Sequence, residues 1–117
     1  MARKTVKYPA AIADLVHAVL QGPGTTSVLL RQAAAYRASA LSATAIEAAP
    51  LPAGLAPFVD RLAQQPGSLR SAEITALRVA GYDEDEIFEL AVGVALGAAL
   101  ARLEQGLAAL QEAGPCD

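Results

Sequence analysis

The chain has 117 residues, is 54% hydrophobic but only 4% aromatic, lacks tryptophan and carries a formal net charge of −3. This length bounds it to a single domain, 1–117. The charge leaves no dominant basic surface, which excludes general nucleic-acid binding, because that needs clustered Lys and Arg to displace counterions. Alanine supplies much of the apolar total. It favours helix more than any other residue but buries little area per side chain. At roughly 25 cal/mol per Å², part of the missing burial is expected from oligomer contacts.

The one basic cluster, Arg3, Lys4 and Lys7, reads as a solvated tail. The apolar run from Ala10 to Leu20 is broken by Asp14 and His17 and is followed by no clean small-residue cleavage site. A cytoplasmic protein is therefore expected. Cys116 is the single cysteine, so an internal disulfide and a Cys-rich metal site are both excluded. It reads as a frayed, unpaired terminal thiol in a reducing compartment. Neither a metal nor a cofactor is expected.

Pro9 marks a helix start, and Ala11, Ile12, Leu15, Val16, Val19 and Leu20 form one helical stripe. Gly22-Pro23-Gly24 stops that helix. Thr25, Thr26 and Ser27 offer N-caps for a second helix, about Val28 to Ala40. Its stripe is Leu29, Leu30, Ala33, Ala34, Arg37 and Leu41, leaving Arg31, Gln32 and Arg37 to face water or a partner. Ser42 to Pro52 reads as a loop around Pro50 and Pro52, preceded by a frayed turn. A third helix, about Ala53 to Gln65, carries Leu55, Phe58, Val59 and Leu62 on one face, and Pro66-Gly67 ends it. Ser68 or Ser71 caps a short fourth helix through Ala80, with Ile74, Leu77 and Arg78 on it. Gly81 suits the position after its end, where φ is positive. No run of alternating β-branched residues occurs, so strands are not expected.

The last long stretch, Asp83 to Gln111, organises the rest. Asp83 and Glu86 form a capping-box pattern, and the four acids Asp83 to Glu86 suit the positive end of the helix dipole. Gly114-Pro115 closes the far end. Two apolar stripes run along this helix. One is Ile87, Leu90, Val94, Ala98 and Ala101; the other is Phe88, Val92, Leu96, Ala99, Leu103, Leu107 and Leu110. A helix apolar on several sides is buried on several sides, so this one is expected to lie between its own domain and a second copy of the chain. Leu90, Val94, Gly97 and Ala101 are expected at that contact, with Gly93 and Gly97 admitting a close backbone. The uncharged run from Leu90 to Ala101 falls short of the roughly 20 residues a membrane span needs. Glu89 and Arg102 flank it; they are expected to be solvated or to find partners within the chain, the alternative being a pair across two antiparallel copies. The expected architecture is all-α: a small bundle of about five helices with one long C-terminal helix. The tight glycine turn before this helix is that of a helix-turn-helix, but its four leading carboxylates would face phosphates, which excludes that role.

Three features carry a family resemblance: Ala80-Gly81, then after two residues Glu84-Asp85-Glu86-Ile87, then the alanine-rich helix from Glu89 to Leu107. With them, Ser71 to Leu110 resembles the carboxymuconolactone decarboxylase family and its alkylhydroperoxidase D-like branch. The resemblance implies a small all-helical subunit that forms trimers or hexamers around its long helix; a homo-oligomer, dimer to hexamer, is expected. Redox-active members carry C-x-x-C, three residues, a histidine, then seven residues to the turn glycine. Counted back from Gly81, these positions hold Glu73, Leu69 and Pro66, and near Gly54 no acid stands where an assisting glutamate belongs. Thiol chemistry needs a thiolate at an electropositive site, so the resemblance implies the fold without this chemistry.

Three readings follow, one of them a free-standing monomeric bundle, whose long helix would expose one apolar stripe and so be an aggregation hazard; the other two concern function. The first is a non-redox, oligomer-forming subunit with a structural or binding role, which a partner protein would fit. The second is a diverged enzyme, decarboxylase-like or hydroperoxidase-like, in which His17, the only histidine, and Glu73 supply acid-base groups. The enzyme requires His17 and Glu73 in one pocket, whereas the subunit leaves them apart. Tyr8, Tyr36 and Tyr82 are the residues that could line a small pocket.

Overall fold

The computed structural model describes residues 9–42, 51–52 and 54–114, the side chains of residues 41 and 42 excepted. Arg3, Lys4, Lys7, Tyr8, the frayed turn before Pro50, Pro115 and Cys116 lie outside these residues. Five α-helices follow one another: α1 (Ala10–Gln21), α2 (Val28–Ser42), α3 (Ala56–Gln64), α4 (Ser71–Val79) and α5 (Glu84–Ala113), with a single 3₁₀ turn, Pro66–Ser68, before α4. No strand occurs among the described residues. The architecture is a small all-α bundle with one long C-terminal helix.

The helix ends follow from local chemistry. Ser27 caps α2, its Oγ accepting from the Leu30 N–H at 3.1 Å. α3 starts at Ala56, later than the sequence pattern suggests: Leu55 is its N-cap and Pro57 sits in its first turn, where a missing N–H costs nothing. No serine caps α4, whose N-cap is Arg70. α4 ends in a Schellman turn, with the Gly81 N–H donating to Arg78 O and the Tyr82 N–H to Leu77 O. Gly81 has φ +108°, which L side chains rarely adopt. α5 opens with a complete capping box: Glu86 N–H donates to Asp83 Oδ1 at 2.8 Å and Asp83 N–H to Glu86 Oε1 at 3.1 Å.

Leu55, Phe58, Val59, Leu77, Ile87, Leu90, Val94 and Ala98 form the core with Ala34 and Ala38 of α2. The buried face of α2 runs through Arg31, Ala34, Ala35 and Ala38. This corrects the stripe read from the sequence: Leu29 is 79% exposed and Arg31 is buried. Where five of the fifteen residues are alanine, a leucine is a weak guide to which side faces inward.

α2 and α5 meet backbone to backbone. A Cβ built on Gly97 would lie 2.9 Å from the Ala35 carbonyl carbon and closer still to its oxygen. Gly97 is thus the position at which α2 presses onto α5, and an added methyl would force the helices apart. Gly106, on the same helix, has nothing within 4 Å of its Cβ position. Thermal or urea unfolding separates the two. Gly97→Ala should lose about 2 kcal/mol through overpacking, whereas Gly106→Ala should gain about 0.5–1 kcal/mol through helix propensity. Equal effects at both sites would contradict the close approach.

Candidate functional site

α5 divides into two faces along the two stripes. Ile87, Leu90, Val94, Ala98 and Ala101 are all buried in the protomer. On the other stripe Phe88 is 69% and Leu110 is 67% exposed, and Val92, Ala99 and Leu103 are exposed as well. Leu96 and Leu107 are half-buried. The expectation that Leu90, Val94, Gly97 and Ala101 meet a second copy is therefore corrected. The chain's own α2 and core already cover them, and the open apolar face is the other one.

Glu89 and Arg102 also find partners inside the chain. Arg102 Nη2 donates to Ala63 O at 3.2 Å, so α5 answers a carbonyl in the last turn of α3. Glu89 reaches the loop between α1 and α2. Its Oε2 accepts from Thr25 N at 2.6 Å and Thr25 Oγ1 at 2.7 Å, and its Oε1 accepts from Thr26 N at 3.1 Å and Thr26 Oγ1 at 2.8 Å. Gly24 lets the carboxylate approach, since a Cβ there would lie 2.5 Å from Glu89 Oε1. Arg31, buried beside it, donates from Nη1 to Val19 O at 2.9 Å and from Nη2 to Gly22 O at 2.6 Å. It thereby satisfies carbonyls at the end of α1. Its Nε is 4.0 Å from Glu89 Oε1, within ion-pair range but beyond a hydrogen bond.

The two acid-base candidates are not brought into one pocket. His17 lies exposed on α1. Glu73 occupies the first turn of α4, where Arg61 Nη1 donates to its Oε1 at 2.6 Å. It lines a hollow of about 210 Å³ with Gly54, Pro57, Phe58, Arg61, Ala76 and Leu77, to which His17 does not belong. Tyr36 is exposed and Tyr82 packs against the core. Among the described residues no three of His, Cys, Asp and Glu gather to hold a metal ion. No helix among them is long and apolar enough to cross a membrane.

An open trough of about 540 Å³ lies between α3, α4 and the first turns of α5. Phe58, Leu62, Leu69, Ile74, Ile87, Phe88 and Ala91 make its wall, and Arg78, Glu84 and Asp85 its polar end. Leu69, one of the positions where the resemblance would place a cysteine, is part of this apolar wall. The trough went unread in the sequence because its residues come from three helices and the segment before α4 and share no spacing. The one local signal was the pair of phenylalanines, both of which line it. No family model, curated protein or solved structure matches the chain.

The Glu89 carboxyl is pulled down from its ordinary 4.5 to about 2, first by the Thr25 backbone N–H and then by the Thr25 hydroxyl, with the same two groups of Thr26 adding to them and burial opposing. A folded pKa below the unfolded one gives stability that is full above about 4.5 and fades as pH falls toward about 2. Urea unfolding at neutral pH and near the lower limit should show that loss, and Glu89→Ala should abolish this part of it. At neutral pH the same substitution should lose about 3 kcal/mol, because it strands a buried arginine. A variant as stable as the parent would refute this account of the loop.

Proposed function

We propose that the chain is a non-redox, alkylhydroperoxidase D-like helical subunit of the cytoplasm, which assembles with copies of itself through the outer face of α5 and serves a structural or binding role. The observation that carries this reading is the exposed stripe from Phe88 to Leu110. Phe88 and Ala99, Val92 and Leu103, Leu96 and Leu107, and Ala99 and Leu110 each stand 11 positions apart. An 11-residue repeat averages 3.67 residues per turn, close to the 3.6 of a straight helix. Such a stripe stays on one side of the rod for its whole length. A second α5 laid along it would find apolar side chains at every turn.

Two further features support the same surface. Beyond Ala101 no residue of α5 is buried, and Leu103, Leu107 and Leu110 run along one side of its last turns. α1 is rich in alanine, valine and leucine yet has no buried residue. A continuous apolar face of this kind on a lone protomer would be an aggregation hazard, which burial between copies removes. The positions of the lost motif, Pro66, Leu69 and Glu73, supply no thiol, and Glu73 is engaged by Arg61.

Light-scattering mass in solution tests the reading. The parent chain should have the mass of two or more protomers. A Leu103→Glu, Leu110→Glu double variant, altered only at exposed positions, should keep its helical circular dichroism signal and fall to the mass of one. A parent chain that runs as a single protomer, or a double variant that keeps the parent's mass, would overturn it.

A further inference from the structure

We propose that the trough between α3, α4 and α5 binds a small amphipathic cation, an alkylammonium or aromatic amine, with its apolar body along the wall and its charge at Asp85. A volume of about 540 Å³ lies within the range of ligand sites, roughly 300–1,000 Å³. Such sites combine an apolar lining with a few polar groups that fix orientation. Here the lining is Leu62, Leu69, Ile74 and the two phenylalanines, and the polar groups stand at one end only.

The sign of the ligand's charge follows from that end. Arg78 Nη2 donates to Glu84 Oε1, so the one cation of the trough is already matched by a carboxylate. The capping box occupies Asp83 and Glu86. The Asp85 carboxylate has no hydrogen bond or ion pair among the described residues. The polar end therefore holds one positive and two negative side chains, and the uncommitted one is negative. The dipole of α5 pulls toward anions at its N-terminus, but the N-cap Asp83 and the three acids of its first turn already answer it. An anion would meet Glu84 and Asp85 beside a low-dielectric wall, where like charges repel most strongly. A cation would meet Asp85 and, across the lip, the ring of Phe88, whose face attracts positive charge. The trough is formed within one protomer; Phe88 is shared with the outer stripe of α5, so Asp85→Asn, which lies off that stripe, separates ligand binding from assembly.

Calorimetric titration of the full chain tests it, with decyltrimethylammonium and decyl sulfate, each kept below its micelle-forming concentration. The ammonium should bind saturably, one per protomer, and about tenfold more tightly than the sulfate. Asp85→Asn and Phe88→Ala alter exposed side chains and should leave the fold intact by circular dichroism. Each should weaken the ammonium about fivefold. Asp85→Asn should also narrow the gap between the two amphiphiles. Val79→Ala, at an exposed apolar position outside the trough, should change nothing. Equal binding of both amphiphiles, no saturable binding of either, indifference to both substitutions, or an equal loss in Val79→Ala would each overturn the assignment.

Discussion

The carboxylate of Glu89 is the point on which the arrangement depends. It stands on α5, takes four hydrogen bonds from the two threonines ahead of α2, and faces a buried arginine that satisfies carbonyls at the end of α1. Three segments are thus fixed at one spot by charge-assisted bonds, which are about twice as strong as neutral ones. With the head of α2 held there, its alanine face descends along α5 until Ala35 meets Gly97. An alanine-rich interface gives little hydrophobic gain per residue and little discrimination between registers. A directional polar anchor at one end supplies the register that the alanines do not.

Other ion pairs repeat this division of labour. Arg37 binds Asp60 between α2 and α3, Arg61 binds Glu73 between α3 and α4, and Arg78 binds Glu84 between α4 and α5. With Arg31 and Glu89 they trace a closed circuit through four helices. The more exposed members contribute at most about 1 kcal/mol each. Most of the stability must come from Leu55, Val59, Leu90, Val94 and their neighbours, which are buried completely. Arg31 and Arg102 act differently: each reaches across to backbone carbonyls near the end of another helix, where cations and donors are favoured.

The sequence made some of this legible and hid the rest for physical reasons. The capping box and the positive φ of Gly81 depend on neighbours within a few residues, so pattern sufficed. The two stripes of α5 could be separated because Leu, Val, Ile and Phe contrast sharply with Glu and Arg. Which stripe turned inward could not be read, because both are apolar and the deciding surface lies on α2. Arg31 looked like a surface residue because its burial depends on a carboxylate that bonds Thr25 from 64 positions away. Gly97 signalled a close backbone, but not whose. His17 and Glu73 were candidates by chemistry alone, and the helices that carry them do not place them in a common pocket.

The last turns of α5 have a mechanical consequence. From Leu103 to Ala113, past the Arg102 bond to α3, the rod buries no side chain and is helical because it continues a segment that does. A detached peptide of that length is marginal as a helix in water. In a lone protomer, unwinding should begin at the C-terminal tip and travel inward until Ala101 stops it. Any neighbour that grips the tip would stiffen the overhang first and leave the body of the bundle almost untouched.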